Sequence, residues 1–221
     1  FSIFEKRCAP LQINFLGYPG TSGSDNIDYI IADKIIIPEN ESKNFTEKII
    51  YLPPSFMVTD DSREISKKIF KKKDFDLPEK SFIFSNFNRI DKITPYIFDV
   101  WMDILHEVKN STLWLISNNK LGIYNLKEEA SKRGIDHKRL IFSDKVNSLA
   151  DHIERIKLSD LCIDTFPYSS HTTGSDILWS GTPIVTLTGK TFASNVCGSM
   201  LKSLNLDELI TSSLDEYKKK I

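Results

Sequence analysis

Leu161-Cys162-Ile163-Asp164-Thr165, then His171-Thr172-Thr173-Gly174-Ser175-Asp176, then Ile177-Leu178-Trp179: this succession decides how the chain is read. The first run is short and apolar, as in a buried parallel strand. The last has apolar residues at helical spacing. The polar hexad between them therefore lies at a strand-to-helix turn, where free backbone N–H groups and the positive end of the helix dipole converge. Such a corner binds phosphate readily. Two adjacent threonines add hydroxyl donors, and Asp176, one turn into the helix, can accept hydrogen bonds from ribose hydroxyls. The hexad equally supports a plainer reading, in which Thr172 or Thr173 only caps a helix.

Residues 81–221 alternate regularly between strands and helices. Ser81-Phe82-Ile83-Phe84-Ser85 reads as a strand, and residues 95–108 as an amphipathic helix with Thr94 as N-cap and Pro95 at its first position. Thr112-Leu113-Trp114-Leu115-Ile116 is a strand, 125–133 a helix stopped by Gly134, and Arg139-Leu140-Ile141-Phe142 a strand. A helix over 148–158 precedes the strand at Leu161. Pro183-Ile184-Val185-Thr186-Leu187 is a further strand, followed by a helix from Phe192. Near-continuous apolar strands alternating with helices predict a parallel sheet covered on both faces, a Rossmann-like α/β lobe.

Residues 1–61 have a different texture. Gln12-Ile13-Asn14-Phe15-Leu16, Tyr29-Ile30-Ile31-Ala32-Asp33 and Glu47-Lys48-Ile49-Ile50-Tyr51-Leu52 read as strands, and Gly17-Tyr18-Pro19-Gly20-Thr21-Ser22-Gly23 as a turn between the first two. This is expected to be the closing part of another α/β lobe. The lysine-rich stretch 62–80 reads as a polar connector.

The bulk numbers exclude several classes. A chain of 221 residues with 40% hydrophobic and 27% charged content is that of a globular protein with a substantial core. A net charge of −1 removes any strong case for nucleic acid or an anionic membrane as main partner. No apolar run reaches membrane-spanning length, and the first residues do not resemble a signal peptide. Cys8, Cys162 and Cys197 offer neither zinc-ligand spacing nor a disulfide framework, which points to a reducing, cytoplasmic setting. Phe1 opens the chain without a methionine, so a piece of a longer protein is expected. Gly189-Lys190-Thr191 lacks the upstream glycine of a P-loop, and no G-x-G-x-x-G is present.

Asn86-Phe87-Asn88-Arg89-Ile90-Asp91-Lys92 follows the first strand of the second lobe, where an open α/β sheet places its ligand crevice. Lys92 as a point charge and Arg89 as a planar fork can compensate a diphosphate. Read alone, they are equally two cations on a solvated loop. His152 and Arg155, three apart, share a helical face. They can flank a base, although the residues by themselves favour an exposed face of mixed charge. His106 and His137 read as helix-surface and loop residues.

Taken in order, these residues resemble the catalytic region of protein O-linked N-acetylglucosamine transferases and their bacterial SPINDLY-like relatives, glycosyltransferase family 41. The resemblance runs through Ala9-Pro10-Leu11-Gln12, Leu16-Gly17-Tyr18-Pro19-Gly20-Thr21-Ser22-Gly23, Asp28-Tyr29-Ile30-Ile31-Ala32-Asp33 and Glu47-Lys48-Ile49-Ile50-Tyr51-Leu52-Pro53. It continues through Asn86-Phe87-Asn88, Lys92-Ile93, Asp164-Thr165, His171-Thr172-Thr173-Gly174, Leu178-Trp179, Gly181-Thr182-Pro183 and Ala193-Ser194. It implies a metal-independent, inverting glycosyltransferase of the GT-B type, carrying N-acetylglucosamine from UDP-N-acetylglucosamine to serine or threonine of proteins. By that resemblance Lys92 contacts the diphosphate, Thr172 and Thr173 bind phosphate, Asp176 holds the ribose, and His152 and Arg155 lie around the uracil. The candidate donor-binding set is then Arg89, Lys92, His152, Arg155, His171, Thr172, Thr173 and Asp176, with Lys92 the candidate catalytic residue.

The chain also departs from the family. Arg89 stands where the animal enzymes carry glutamine, Leu149 where they place a lysine near the base, and Asn195 where relatives often have arginine. The resemblance further implies an upstream first-lobe half with histidines near the catalytic centre, tetratricopeptide repeats that present protein substrates, and a final helix beyond this chain. The fragment alone is therefore expected to be inactive. Two other readings stay open: a GDP-fucose-dependent protein O-fucosyltransferase of the SPINDLY type, and a non-catalytic nucleotide-sugar-binding scaffold.

Overall fold

The computed structural model describes residues 3–221, so Phe1 and Ser2, at the head of the region expected over 1–61, lie outside the described residues. Two parallel sheets form the frame. The smaller has the order β1 (Ile13–Asn14), β2 (Tyr29–Ala32), β3 (Lys48–Tyr51), with Tyr29 paired to Ile13 and to Lys48. The segment between β2 and β3 holds a 3-10 turn, Glu39–Asn44.

The larger sheet carries β4 (Phe82–Asn86), β5 (Ser111–Ile116), β6 (Leu140–Ser143), β7 (Leu161–Ile163), β8 (Ile184–Leu187) and β9 (Ile210–Thr211). Its spatial order is β6-β5-β4-β7-β8-β9, all parallel. Renumbered within the lobe this is 3-2-1-4-5-6, the Rossmann order, whose direction reverses between β4 and β7. Helices α1 (Pro95–Glu107), α2 (Lys120–Lys132), α3 (Leu149–Ile156), α4 (Thr172–Ser180), α5 (Phe192–Ser203) and α6 (Leu214–Lys220) complete it.

Alternating strand residues supply two cores, which is why the strands read as unbroken apolar runs. Phe84, Leu113, Leu115, Ile163 and Val185 pack with Trp101, Leu105 and Tyr217 from α1 and α6. Ile83, Trp114, Cys162 and Ile184 face the other way, with Ile156, Ile177 and Val196 from α3, α4 and α5. That second core runs on into the first lobe through Ile30, Ala32, Ile37 and Phe56. The buried Asp33 carboxylate joins the lobes as well. It accepts from the N–H of Ile35, Ile36 and Phe56, and from the Ser199 hydroxyl at 2.6 Å.

Several boundaries move. Helix α2 begins at Lys120 rather than 125, because the Asn119 side chain caps Gly122 N–H. Strand β7 ends at Ile163, since Asp164 turns its carboxylate inward to hold the next loop. Strand β9 and α6 carry too short a pattern to stand out in the sequence. The stretch 62–80 is less polar in its packing than its lysines imply: Phe75 lies 5.2 Å from the Trp114 ring and 5.3 Å from Phe70.

Candidate functional site

The site forms where the sheet order reverses, at the carboxyl ends of β4 and β7. Asn86, last in β4, donates to the Ile163 carbonyl at 2.7 Å and fastens the two strand ends. Asn88, two residues past the end of β4, donates through its side-chain amide to Ser170 Oγ at 2.7 Å. Asp164 is fully buried and organises the segment leading into α4. It accepts from the N–H groups of Thr165 and Ser170 and from the hydroxyls of Ser170 and Thr186. Burial pushes its carboxyl up, opposed by those donors.

Lys92 is brought beside this segment. Its ammonium donates to Asn88 Oδ1 at 3.2 Å and to the Ser169 carbonyl at 3.1 Å, and lies 4.1 Å from the Tyr168 ring centre. Burial lowers its pKa, with the Asp164 charge acting the other way. Both acceptors are neutral, and among the described residues Lys92 makes no ion pair. A partly desolvated cation with only neutral partners is a place for an anion.

The start of α4 lies two residues beyond Ser169. His171 is its N-cap residue and makes no side-chain cap bond. Its Nε2 is 3.2 Å from the Ala193 carbonyl, which places the ring proton on Nε2, and its ring stacks on Tyr168 at 4.6 Å. Burial lowers its pKa to about 4, so the ring is neutral. Thr172 and Thr173 are the first two helical residues and not caps, which sets aside the capping reading. Their N–H groups lie in the turn that no intrahelical carbonyl can reach. Gly174 permits close helix packing, since a Cβ there would sit 2.7 Å from Met200 Cε and 3.1 Å from Ser170 Cβ.

At the other end of residues 87–92, Phe87 packs edge-on against the His152 ring at 5.7 Å. His152 and Arg155 do not form an exposed face. Arg155 is 1% exposed, donating through Nε to His152 Nδ1 at 3.3 Å and through a terminal nitrogen to the Asp144 carbonyl at 2.7 Å. Burial and the neighbouring guanidinium lower the His152 pKa to about 4, and burial brings Arg155 to about 10. Because His152 Nδ1 accepts, its proton sits on Nε2, and the ring can offer a donor to a base.

Arg89 is not brought into this group. It turns to solvent, 81% exposed, and grips Asp91 at 2.7 Å. Asp176 is buried and already engaged at Oδ1 by Arg63, at 2.6 Å. Sequence reasoning missed Arg63, because a single arginine in a lysine-rich connector carries no signal. It also missed Tyr168 and Asp164 as parts of the site, although both flank the quoted hexad.

His171 and Thr172 open onto a cavity of about 210 Å³ between the lobes, bounded on the far side by Gly17, Tyr18, Val58 and Thr59. A larger one, about 590 Å³, lies beside it between Tyr18–Thr21 and residues 189–195. Asn195 there accepts from Gly189 N–H at 3.1 Å. Among the described residues no group of three or more His, Cys, Asp or Glu could hold a metal, and no helix is long and apolar enough to cross a membrane.

A Rossmann lobe whose switch point faces a second parallel sheet across a crevice has the GT-B glycosyltransferase fold. Comparison with known proteins agrees. A mutant form of the O-GlcNAc transferase of Thermobaculum terrenum superposes with a TM-score of 0.84 at 26% identity, over 96% of this chain and 40% of that one. The profile of glycosyl transferase family 41 matches residues 1–74 and 62–221. The chain belongs to glycosyltransferase family 41. It is 35% identical over 99% of its length to a probable UDP-N-acetylglucosamine–peptide N-acetylglucosaminyltransferase, SEC, of Arabidopsis thaliana. It is 32% identical over 96% to the SPINDLY protein of Petunia hybrida, which carries the same probable activity in its name. The chain spans 23% of the length of each of these two relatives.

Proposed function

We propose that this chain forms the donor-binding part of an inverting glycosyltransferase that moves N-acetylglucosamine from UDP-N-acetylglucosamine to serine or threonine hydroxyls of proteins. The observation that carries it is the pairing of Lys92, half-buried among neutral acceptors, with the uncapped start of α4 across the switch point. Lys92 and the N–H and hydroxyl groups of Thr172 and Thr173 would hold the diphosphate, Asp176 the ribose, and His152 and Arg155 the uracil. Arg89, paired with Asp91 at the rim, would add little.

The acceptor hydroxyl attacks the anomeric carbon from the face opposite the diphosphate, the bond to the diphosphate oxygen breaks, and the hydroxyl proton passes to solvent. Negative charge grows on that oxygen in the transition state. A fixed ammonium and a helix N-terminus at the same place stabilise it more than the ground state, which is the condition for catalysis. This arrangement supplies the charge compensation from the chain's own groups, so we propose that no metal is required.

Titration of UDP and GDP into the protein in its natural full length, in chelator, tests the reading. Selective UDP binding that Lys92→Ala abolishes is expected. Selective GDP binding would transfer the site to a GDP-sugar such as GDP-fucose, and binding of neither would leave a scaffold.

A further inference from the structure

Arg63 behaves unlike its neighbours. Residues 58–62 and Glu64 are exposed, whereas the Arg63 side chain is 7% exposed and directed into the second lobe. Each nitrogen of its guanidinium is used. One terminal nitrogen donates to Asp176 Oδ1 at 2.6 Å, the other to Ser175 Oγ at 3.2 Å, and Nε to the Asp60 carbonyl at 3.1 Å. Its Cζ lies 4.8 Å from the Trp179 ring centre, and its carbonyl accepts from Trp179 Nε1 at 3.3 Å. Thr59 Oγ1 accepts from the Ser175 hydroxyl at 3.2 Å. Asp60 in turn accepts from the N–H and hydroxyl of Ser62, a turn that holds the segment's shape.

These contacts clamp the first two turns of α4 from outside the lobe. A carboxylate on a free side chain has two rotatable bonds, and a ribose diol is recognised only when the oxygens stand still. A planar guanidinium locked at all three nitrogens supplies that fixation, and a lysine does not. Burial pushes the Asp176 carboxyl up, and the guanidinium opposes that shift.

We propose that Arg63 is a positioning residue of the ribose subsite, fixing the Asp176 carboxylate so that the connector between the lobes becomes part of nucleoside recognition. The inference rests on the assignment of Asp176 to the ribose made above.

The test compares the affinity of the full-length protein for UDP with that for 2′,3′-dideoxy-UDP, which keeps the base and diphosphate and lacks the diol. Wild type is expected to prefer UDP by about tenfold or more. Arg63→Gln is expected to bring that ratio to about twofold or less, whatever it does to either affinity alone. Arg63→Lys, which keeps the charge and loses the fork, gives a second folded variant and is expected to lower the ratio by about threefold. A wild-type ratio in whichever variant folds overturns the proposal, since a purely structural role weakens both ligands together. A wild type that binds both ligands equally removes the ribose assignment and this inference with it. A discriminating wild type with indifferent Arg63 variants overturns only the latter.

Discussion

Helices α4 and α5 follow adjacent strands of one sheet and begin at the same edge, yet their first turns are built in opposite ways. Thr191 closes α5: its hydroxyl accepts from Ser194 N–H, and Ser194 Oγ accepts from Thr191 N–H. The starts of α1, α2, α3 and α6 are closed likewise by Thr94, Asn119, Ser148 and Ser213. Only α4, among these six, has no side-chain cap: His171 lies outside the extended backbone region that the other five caps occupy, and its ring turns to the Ala193 carbonyl. A cap is worth about 1 kcal/mol, so leaving one out costs stability. What α4 gains is a turn of open N–H groups beside an ammonium. The contrast shows where this lobe leaves backbone donors without a side-chain partner: at the one α-helix start, among these six, that no side chain closes.

The largest break comes from the cation. Lys92→Ala should reduce initial transfer rates by about 100-fold, the scale for removing one charge-stabilising donor, with the melting temperature little changed. A variant that turns over like wild type would take Lys92 out of the mechanism.

Acid should act next. The His152 and His171 rings titrate near 4 when folded, against an ordinary 6.5, so the folded state binds their protons less readily than the unfolded one. Their stabilisation is complete above pH 6.5 and is lost as pH falls from there through 4, by up to on the order of 3 kcal/mol each. Urea titrations at steps across that window measure it. His171→Gln should remove part of the slope, and an unaltered slope would assign the acid sensitivity elsewhere.

Gly174→Ala brings a Cβ into the contact between α4 and α5. We expect a loss of about 1–3 kcal/mol, read as a lower urea midpoint. Full stability in that variant would mean that Met200 gives way freely. The mildest pair sharpens the comparison itself. Thr191→Ala should cost about 1 kcal/mol of stability and leave UDP affinity alone, whereas Thr173→Ala should do the reverse, weakening UDP several-fold at nearly unchanged stability. Equal effects in both variants would erase the distinction between the two helix starts.

Much of this was legible beforehand. The strands at 81–85, 112–116 and 183–187 and the helix with Thr94 and Pro95 at its head fall within a residue or two of their observed places, because each depends on its own run of apolar residues and its own cap. The strand-to-helix corner at His171 was legible for the same reason, as a local succession of strand, polar run and helix. The burial of Arg155 and the inward turn of Arg63 were not. Charged residues in a polar context read as solvated, and only their partners, Asp144 and His152 in one case and Asp176 in the other, make burial tolerable. Arg89 erred in the opposite direction: sequence proximity to Lys92 put it in the site, while Asp91 two residues on holds it at the surface.

Composition, periodicity and ordered motifs were enough for the alternation of strand and helix, the two-faced burial of the strands, the strand-to-helix turn at residues 171–176 and the family to which the chain belongs. Those properties are written in periodicity, caps and ordered motifs, which act over a few residues. That His171, and neither threonine, stands at the head of α4 without a side-chain cap came from the structure. The tertiary structure alone decided that β4 and β7 lie side by side, so that Asn88 meets Ser170 and Lys92 meets Ser169, and that Arg63 reaches Asp176 across 113 positions of chain. Pairings over such separations depend on strand order and on which charges can be buried together, and no local pattern encodes either.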